Sequence, residues 1–235
     1  MERTKERVLE STYLEHWDYL TEAIQQSGVS ISELSMPWLI DVVPGYIEDK
    51  HKVLIVGKES NGWEKYSDLL TVEKEEAVRK LQNMYLQFRQ DNKWAHAPFW
   101  KGAHEIHKAL NPDSPDYTFM TTNLIRIDQN NTRPSKSVEE AVCSSFLVLH
   151  SEIEMLEPDV MIFFTGPYYD ERIRQTFEGV SFEMVDGFDP RILAQLKHDK
   201  LPIHTYRTYH PGFSLRNRAR YFEPVLEFLQ RSLLK

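Results

Sequence analysis

The sequence predicts an α/β domain built on a mainly parallel, four-stranded central sheet with helices on both faces, a three-layer α/β/α arrangement. Three observations carry this prediction. "KVLIVGKESNGW" (52–63) opens with four branched aliphatics, Val53 to Val56, and shows no polar alternation, so both faces of that strand need cover. "DVMIFFTG" (159–166) repeats the pattern, an apolar run that stops at a glycine. Stretches with helical spacing lie between such runs, the order expected of strand–helix–strand units.

The elements follow in order. Val8, Leu9, Tyr13, Leu14, Trp17, Leu20 and Ile24 recur at helical spacing until Gly28, which predicts a helix over 2–27. "MPWLIDVVPGYI" reads as irregular, because Pro37 and Pro44 forbid a long helix. Residues 1–50 therefore form an N-terminal helical extension packed on a single domain spanning 1–235. A helix is expected over 72–90, and another after Phe99 and Trp100 in "HAPFWKGAHEIHKAL". "YTFMTTNLIRI" (117–127), rich in β-branched and aromatic residues, predicts a strand. "SVEEAVCSSFLVLHSEIEML" (137–156) reads as one helix, with Ser137 and Glu140 spaced as a capping box. A short helix near 168–178, an unpatterned region near 180–200, a strand in "IHTYRTYHP" (203–211) and a closing helix over 217–234 complete the chain.

Composition narrows the function classes. A chain of 235 residues can bury roughly 70 % of its unfolded surface. The net charge of −8 argues against broad attraction to nucleic acid, whose binding draws mostly on clustered positive charge, but it leaves a local basic patch open. Cys143 is the single cysteine, so neither an internal disulfide nor a thiolate metal cluster can be built. "MERTKERVLE" lacks the apolar core of a signal peptide, and no apolar run approaches the ~20 residues that span a bilayer. The expectation is a cytoplasmic protein with no membrane partner and no cofactor.

In open α/β sheets, ligands bind beyond the carboxyl ends of the strands. That rule singles out "GKESNGW", "TTNLIRIDQNNTRP", "TGPYY" and "HPGFSLRNR", and it gathers Glu59, Asn123 and His210 at one sheet edge. Gly57, Asn61, Gly166 and Ser214 in these segments are candidates for contacting a substrate. A carboxylate such as Glu59 can orient a water or stabilise a cationic transition state. It reads equally as part of a solvated turn, because exposed glutamates are common. Asn123 sits in an apolar strand, where its amide must find partners: neighbouring backbone, or the edge of a pyrimidine. His210, before a proline–glycine turn, is placed to donate to a bound group. Arg216, Arg218 and Arg220 form the densest positive cluster and suit phosphates or surface acids, and Arg126 and Arg133 leave the same two options. Phe99 and Trp100 suit either base stacking or the core. His104 and His107 share a helix face without an acid or cysteine at metal spacing, so they read as surface histidines.

Taken in order, these segments resemble the uracil-DNA glycosylase superfamily over most of 52–228, as a divergent member. The glycine-ended strand followed by Glu59 is similar to the family's first motif. "TTNLIRIDQNNTRPSKSVEEAV" is similar to the segment that carries a base-binding asparagine, here Asn123. "YHPGFSLR" resembles the His-Pro-Ser-like loop, with His210 as its histidine, and "APFWKGAHEI" resembles the segment with the stacking phenylalanine, here Phe99. The pattern departs at Ser60, where the family has proline nearby, and at Gly212, where it has serine; the four cysteines of the iron–sulfur branches are missing. The resemblance implies hydrolysis of an N-glycosidic bond on a nucleotide flipped out of DNA. Glu59 and His210 would be catalytic, Asn123 would read the base, Phe99 would stack on it, and Arg216 and Arg218 would touch phosphates. Two other readings stand beside it: a non-catalytic module that binds a nucleobase or nucleic acid, and a hydrolase of free nucleosides or nucleotides, for which the ligand would be a small nucleobase-containing molecule.

Overall fold

The computed structural model describes residues 2–214 and 217–233. The helices are α1 (Glu2–Gln26), α2 (Lys74–Gln90), α3 (Pro98–Leu110), α4 (Lys136–Ser145), α5 (Leu149–Leu156), α6 (Asp170–Thr176), α7 (Pro211–Ser214), α8 (Arg218–Tyr221) and α9 (Glu223–Leu233). The strands are β1 (Val53–Glu59), β2 (Met120–Ile125), β3 (Val160–Phe163), β4 (Ser181–Met184), β5 (Leu193–Lys197) and β6 (His204–Thr208). They form one sheet in the order β2-β1-β3-β6-β5-β4. The α/β class is as expected, but the sheet has six strands, not four. The two extra strands, β4 and β5, come from the unpatterned region near 180–200. β1, β3 and β6 pair in parallel, and β5 runs antiparallel to both β6 and β4. Strand direction is thus mostly shared, with β5 reversed.

The chain divides into two compact units, each assembled from separated segments. The first comprises 1–42, 58–88 and 122–156. There α1 lies against α4 and α5, and Leu9, Tyr13, Leu20 and Ile24 are its fully buried face. Tyr13 donates to Glu152 Oε1 at 2.7 Å, and Glu152 also accepts from both guanidinium nitrogens of Arg126 at 2.8 Å and from Thr122 at 2.9 Å. A carboxylate at full burial is tolerable only when paired and hydrogen-bonded in this way. Burial and the Glu152 charge both push the Tyr13 phenol well above its ordinary value. Trp38, Trp63, Tyr85 and Phe88 pack edge to face as a second core cluster.

The helix expected over 137–156 is two helices. Phe146 leaves helical geometry (φ −124°, ψ 63°) and stacks its ring 6.2 Å from that of Tyr13. Tertiary packing overrides the local period here. The expected capping box is also absent. Ser135, not Ser137, precedes the first turn and makes no side-chain cap, and Glu140 meets Lys136 at 3.6 Å instead.

The second unit comprises 43–57, 89–121 and 157–235. β3 is buried along its whole length, as an apolar strand with partners on both sides requires, with β1 pairing Val53 to Val160 and β6 pairing His204 to Val160. α3 packs against α9 and α7. His107, read from the sequence as a surface residue, is fully buried instead. Its Nε2 lies 2.8 Å from Asp49 Oδ2 and 2.9 Å from the Thr118 hydroxyl, which itself donates to Asp49 Oδ2 at 2.7 Å. Burial pulls the His107 imidazole below its ordinary value, against the opposing pull of Asp49. Arg89 is buried too. It donates to Thr121 and to the Tyr117 and Phe119 carbonyls while lying over the rings of Trp94, Trp100 and Phe119.

Candidate functional site

In the second unit the candidate residues cluster where β3 and β6 end. β3 runs out through Phe164 and Thr165 into Gly166, whose positive φ of 65° no branched residue adopts without strain. Gly166 N–H donates to the Thr208 carbonyl at 2.9 Å, which ties the turn after β3 to the end of β6. A Cβ at position 166 would stand 3.2 Å from the Tyr209 ring, so close approach also favours glycine there. Gly57 is buried in β1 beside this end, and the Phe164 N–H reaches the Val56 carbonyl at 2.9 Å. Thr165, 1 % exposed, keeps its hydroxyl without a hydrogen-bond partner among the described residues.

His210 stands two residues past the end of β6. Its Nδ1 accepts the Gly212 N–H at 2.9 Å. An acceptor at Nδ1 fixes the neutral tautomer that carries its proton on Nε2, so Nε2 is the donor. Gly212 is suited to this arrangement, since a Cβ there would come within 3.0 Å of His210 Nδ1. Glycine at position 212 therefore has a local reason. Phe99, at the start of α3, stacks on the His210 ring with centroids 5.8 Å apart and planes 30° apart, and meets Phe164 edge to face. Gly102, one turn along α3, presses against Pro211, where a Cβ would sit 2.6 Å from Pro211 Cγ. Phe99 and Gly102 thus clamp the His210 loop onto α3.

Beside this loop, Arg207 is buried at the end of β6. It donates to both Asp170 carboxylate oxygens, at 2.9 and 3.1 Å, and to the carbonyls of Pro190 and Arg191 at 2.9 Å. Burial lowers the Arg207 value and raises that of Asp170, with their mutual attraction opposing both shifts. Arg218 is taken up by Glu105 at 2.6 Å and by Glu223 at 3.7 Å. Ser214 ends α7, and Arg216 lies outside the described residues.

Glu59, Asn61 and Asn123 belong to the first unit. Glu59 ends β1 half-buried, while Asn61 is exposed. The loop between them is held by residues that local sequence does not flag. The Ser60 hydroxyl meets Ser35 at 3.1 Å and the Arg126 carbonyl at 3.3 Å. Asp128 accepts the N–H groups of Gly62 at 3.1 Å and Asn131 at 2.8 Å, while its own N–H donates to Ser35 at 2.8 Å. Asn123 is half-buried on β2, and strand alternation sets it opposite the face that Thr122 and Arg126 turn toward Glu152. Arg126 and Arg133 take the acid-pairing option: Arg126 with Glu152, and Arg133 with Glu139 at 2.6 Å.

Phe99 and His210 are brought into contact with each other, and Gly166 lies against Tyr209, the residue before His210. The Phe99–His210 ring pair and the Gly212 and Gly102 contacts show only in three dimensions. Among the described residues no three His, Cys, Asp or Glu side chains group as metal ligands, and no helix is long and apolar enough to cross a membrane. No protein-family model matches the chain, and no curated protein matches it.

Proposed function

We propose that this protein is a DNA glycosylase that hydrolyses the N-glycosidic bond of uracil or another altered base, on a three-layer fold of the uracil-DNA glycosylase type. One observation supports this best. The His210 ring is oriented by the Gly212 N–H so that Nε2 donates, and it is stacked on Phe99 at the end of a central strand. In the reaction, water adds to the anomeric carbon as the carbon–nitrogen bond breaks, and the bonding pair leaves with the base. A neutral donor at Nε2 stabilises the negative charge that grows on the departing base, in the manner of an oxyanion-hole donor. Phe99 offers its ring to that base. The reading gives Glu59 the attacking water or the positive sugar and gives Asn123 the base edge. Those two assignments rest on motif order in the sequence.

The test is base release from single- and double-stranded oligonucleotides containing uracil or other altered bases. Wild-type protein is expected to release a base, and His210→Ala to slow release by roughly 100- to 1,000-fold, the usual cost of one preorganised donor. Glu59→Ala is expected to slow it as well. Retention of oligonucleotide without release would replace this reading with a binding module, and release from free nucleosides alone would replace it with a nucleoside hydrolase. Neither release nor retention at low salt would sink all three.

A further inference from the structure

Beyond the base-holding pair, the same end of the second unit carries an unbroken strip of rings and guanidinium groups. Tyr168, on the turn after β3, is 68 % exposed, and the Arg191 guanidinium lies 5.8 Å from its ring centroid. The Tyr209 phenol, and after it that of Tyr168, raise the Arg191 value above the ordinary one. Tyr209 stacks on Phe213 with centroids 4.4 Å apart and planes 24° apart, and Phe213 is itself 42 % exposed. Phe213 meets Tyr221 at 5.6 Å, and the Arg220 guanidinium lies 5.2 Å over Tyr221.

We infer that this strip, Tyr168–Arg191–Tyr209–Phe213–Tyr221–Arg220, is a track for single-stranded nucleic acid, with bases stacking on Tyr168 and Phe213 and phosphates meeting Arg191 and Arg220. Three features select that occupant. Large rings at 68 % and 42 % exposure offer flat faces that an ordinary surface does not leave open. Neither Arg191 nor Arg220 has a carboxylate at ion-pair distance among the described residues, whereas the neighbouring Asp170 and Glu223 are held by Arg207 and Arg218. Asp170 and Asp189 lie close to Arg191, and the strip itself alternates stacking faces with guanidinium groups, the arrangement that binds a flexible polyanion carrying bases. It also supplies what Arg218, engaged by Glu105, does not.

The inference rests on the glycosylase reading only in placing the strand beside His210, so its test measures binding without cleavage. Fluorescence anisotropy of the full chain with a labelled oligothymidylate is compared with an equally charged oligomer of abasic residues and with duplex DNA. The oligothymidylate should bind tightest at low salt. Tyr168→Ala and Phe213→Ala should each weaken it by roughly 5- to 150-fold. Arg191→Gln should reduce the slope of log affinity against log salt by about 0.7, the loss of one phosphate contact to a single strand. Equal affinity for the abasic oligomer, or unaltered binding by the ring variants, would overturn the track even if uracil release is observed. Binding with these dependences but no base release would leave the track standing and remove the glycosylase reading.

Discussion

Glu152 accepts hydrogen bonds from Tyr13, Thr122 and both terminal nitrogens of Arg126 without any exposure to water. Removing the acid strands the Arg126 cation, and an unpaired buried charge is destabilising by about 3–5 kcal/mol. Glu152→Ala should therefore lower the urea midpoint sharply, while Glu152→Gln, which keeps an acceptor, should fall between the variant and wild type. An unchanged midpoint in both would mean that water reaches Arg126. From sequence, Arg126 was one of several arginines open to phosphate or acid, and Glu152 one of many helical acids. Nothing local distinguishes them, because their partner is 26 residues away. Asp49 and Asp128 were missed for the same reason: a carboxylate that organises a loop through distant N–H and hydroxyl groups looks solvated in a one-dimensional reading. The strand that leads to His210 and the helix that carries Phe99 were legible from pattern, as β6 and α3.

At the scale of elements, α3 and the loop after β6 are joined at a glycine. Gly102→Ala would gain about 1 kcal/mol of helix propensity. The new methyl would stand 2.6 Å from Pro211 Cγ, however, and overpacking typically costs 1–3 kcal/mol. The sum is a modest destabilisation of up to ~2 kcal/mol, visible as a lower melting temperature. The functional effect should be larger than the stability effect. Pushing Pro211 off α3 carries His210 with it, and a displacement of about 1 Å at a reacting group can cost 100-fold in rate. On the proposed glycosylase reading, base release should therefore fall well beyond what the lost stability explains, and a rate equal to wild type would show that the loop does not depend on this contact. The apolar strands β1 and β3 announced themselves by composition. The β4–β5 hairpin did not: β4 is nowhere fully buried, and β5 mixes buried with exposed positions, so neither carries an apolar run. The break between α4 and α5 was invisible because Phe146 fits a helical period and leaves it only to reach Tyr13.

For the whole molecule, the two units interleave along the chain, so no linker or composition shift marks where one yields to the other. Their response to acid is readable nonetheless. An unfolded histidine takes up its proton near pH 6.5. In the folded chain His107 and His204 lie below that value, each pulled down first by burial. His104 and Lys108 push His107 further down, and Asp49 opposes them. Between the unfolded value and these lower folded values the unfolded chain binds more protons, so stability falls as pH drops through that window. Above about pH 6.5 neither group contributes, and the slope below it reaches about 1.4 kcal/mol per pH unit for each group that stays neutral when folded. His204 is only half-buried and solvent screens it, so His107 should carry most of the effect. Thermal unfolding from pH 7.5 to pH 5 should show wild-type stability declining below pH 6.5. His107→Gln, which keeps a donor for Asp49 but cannot titrate, should start lower at pH 7.5 yet lose less on acidification. Parallel profiles for the two proteins would assign the acid sensitivity to other groups and would mean that His107 charges within the folded state at no cost.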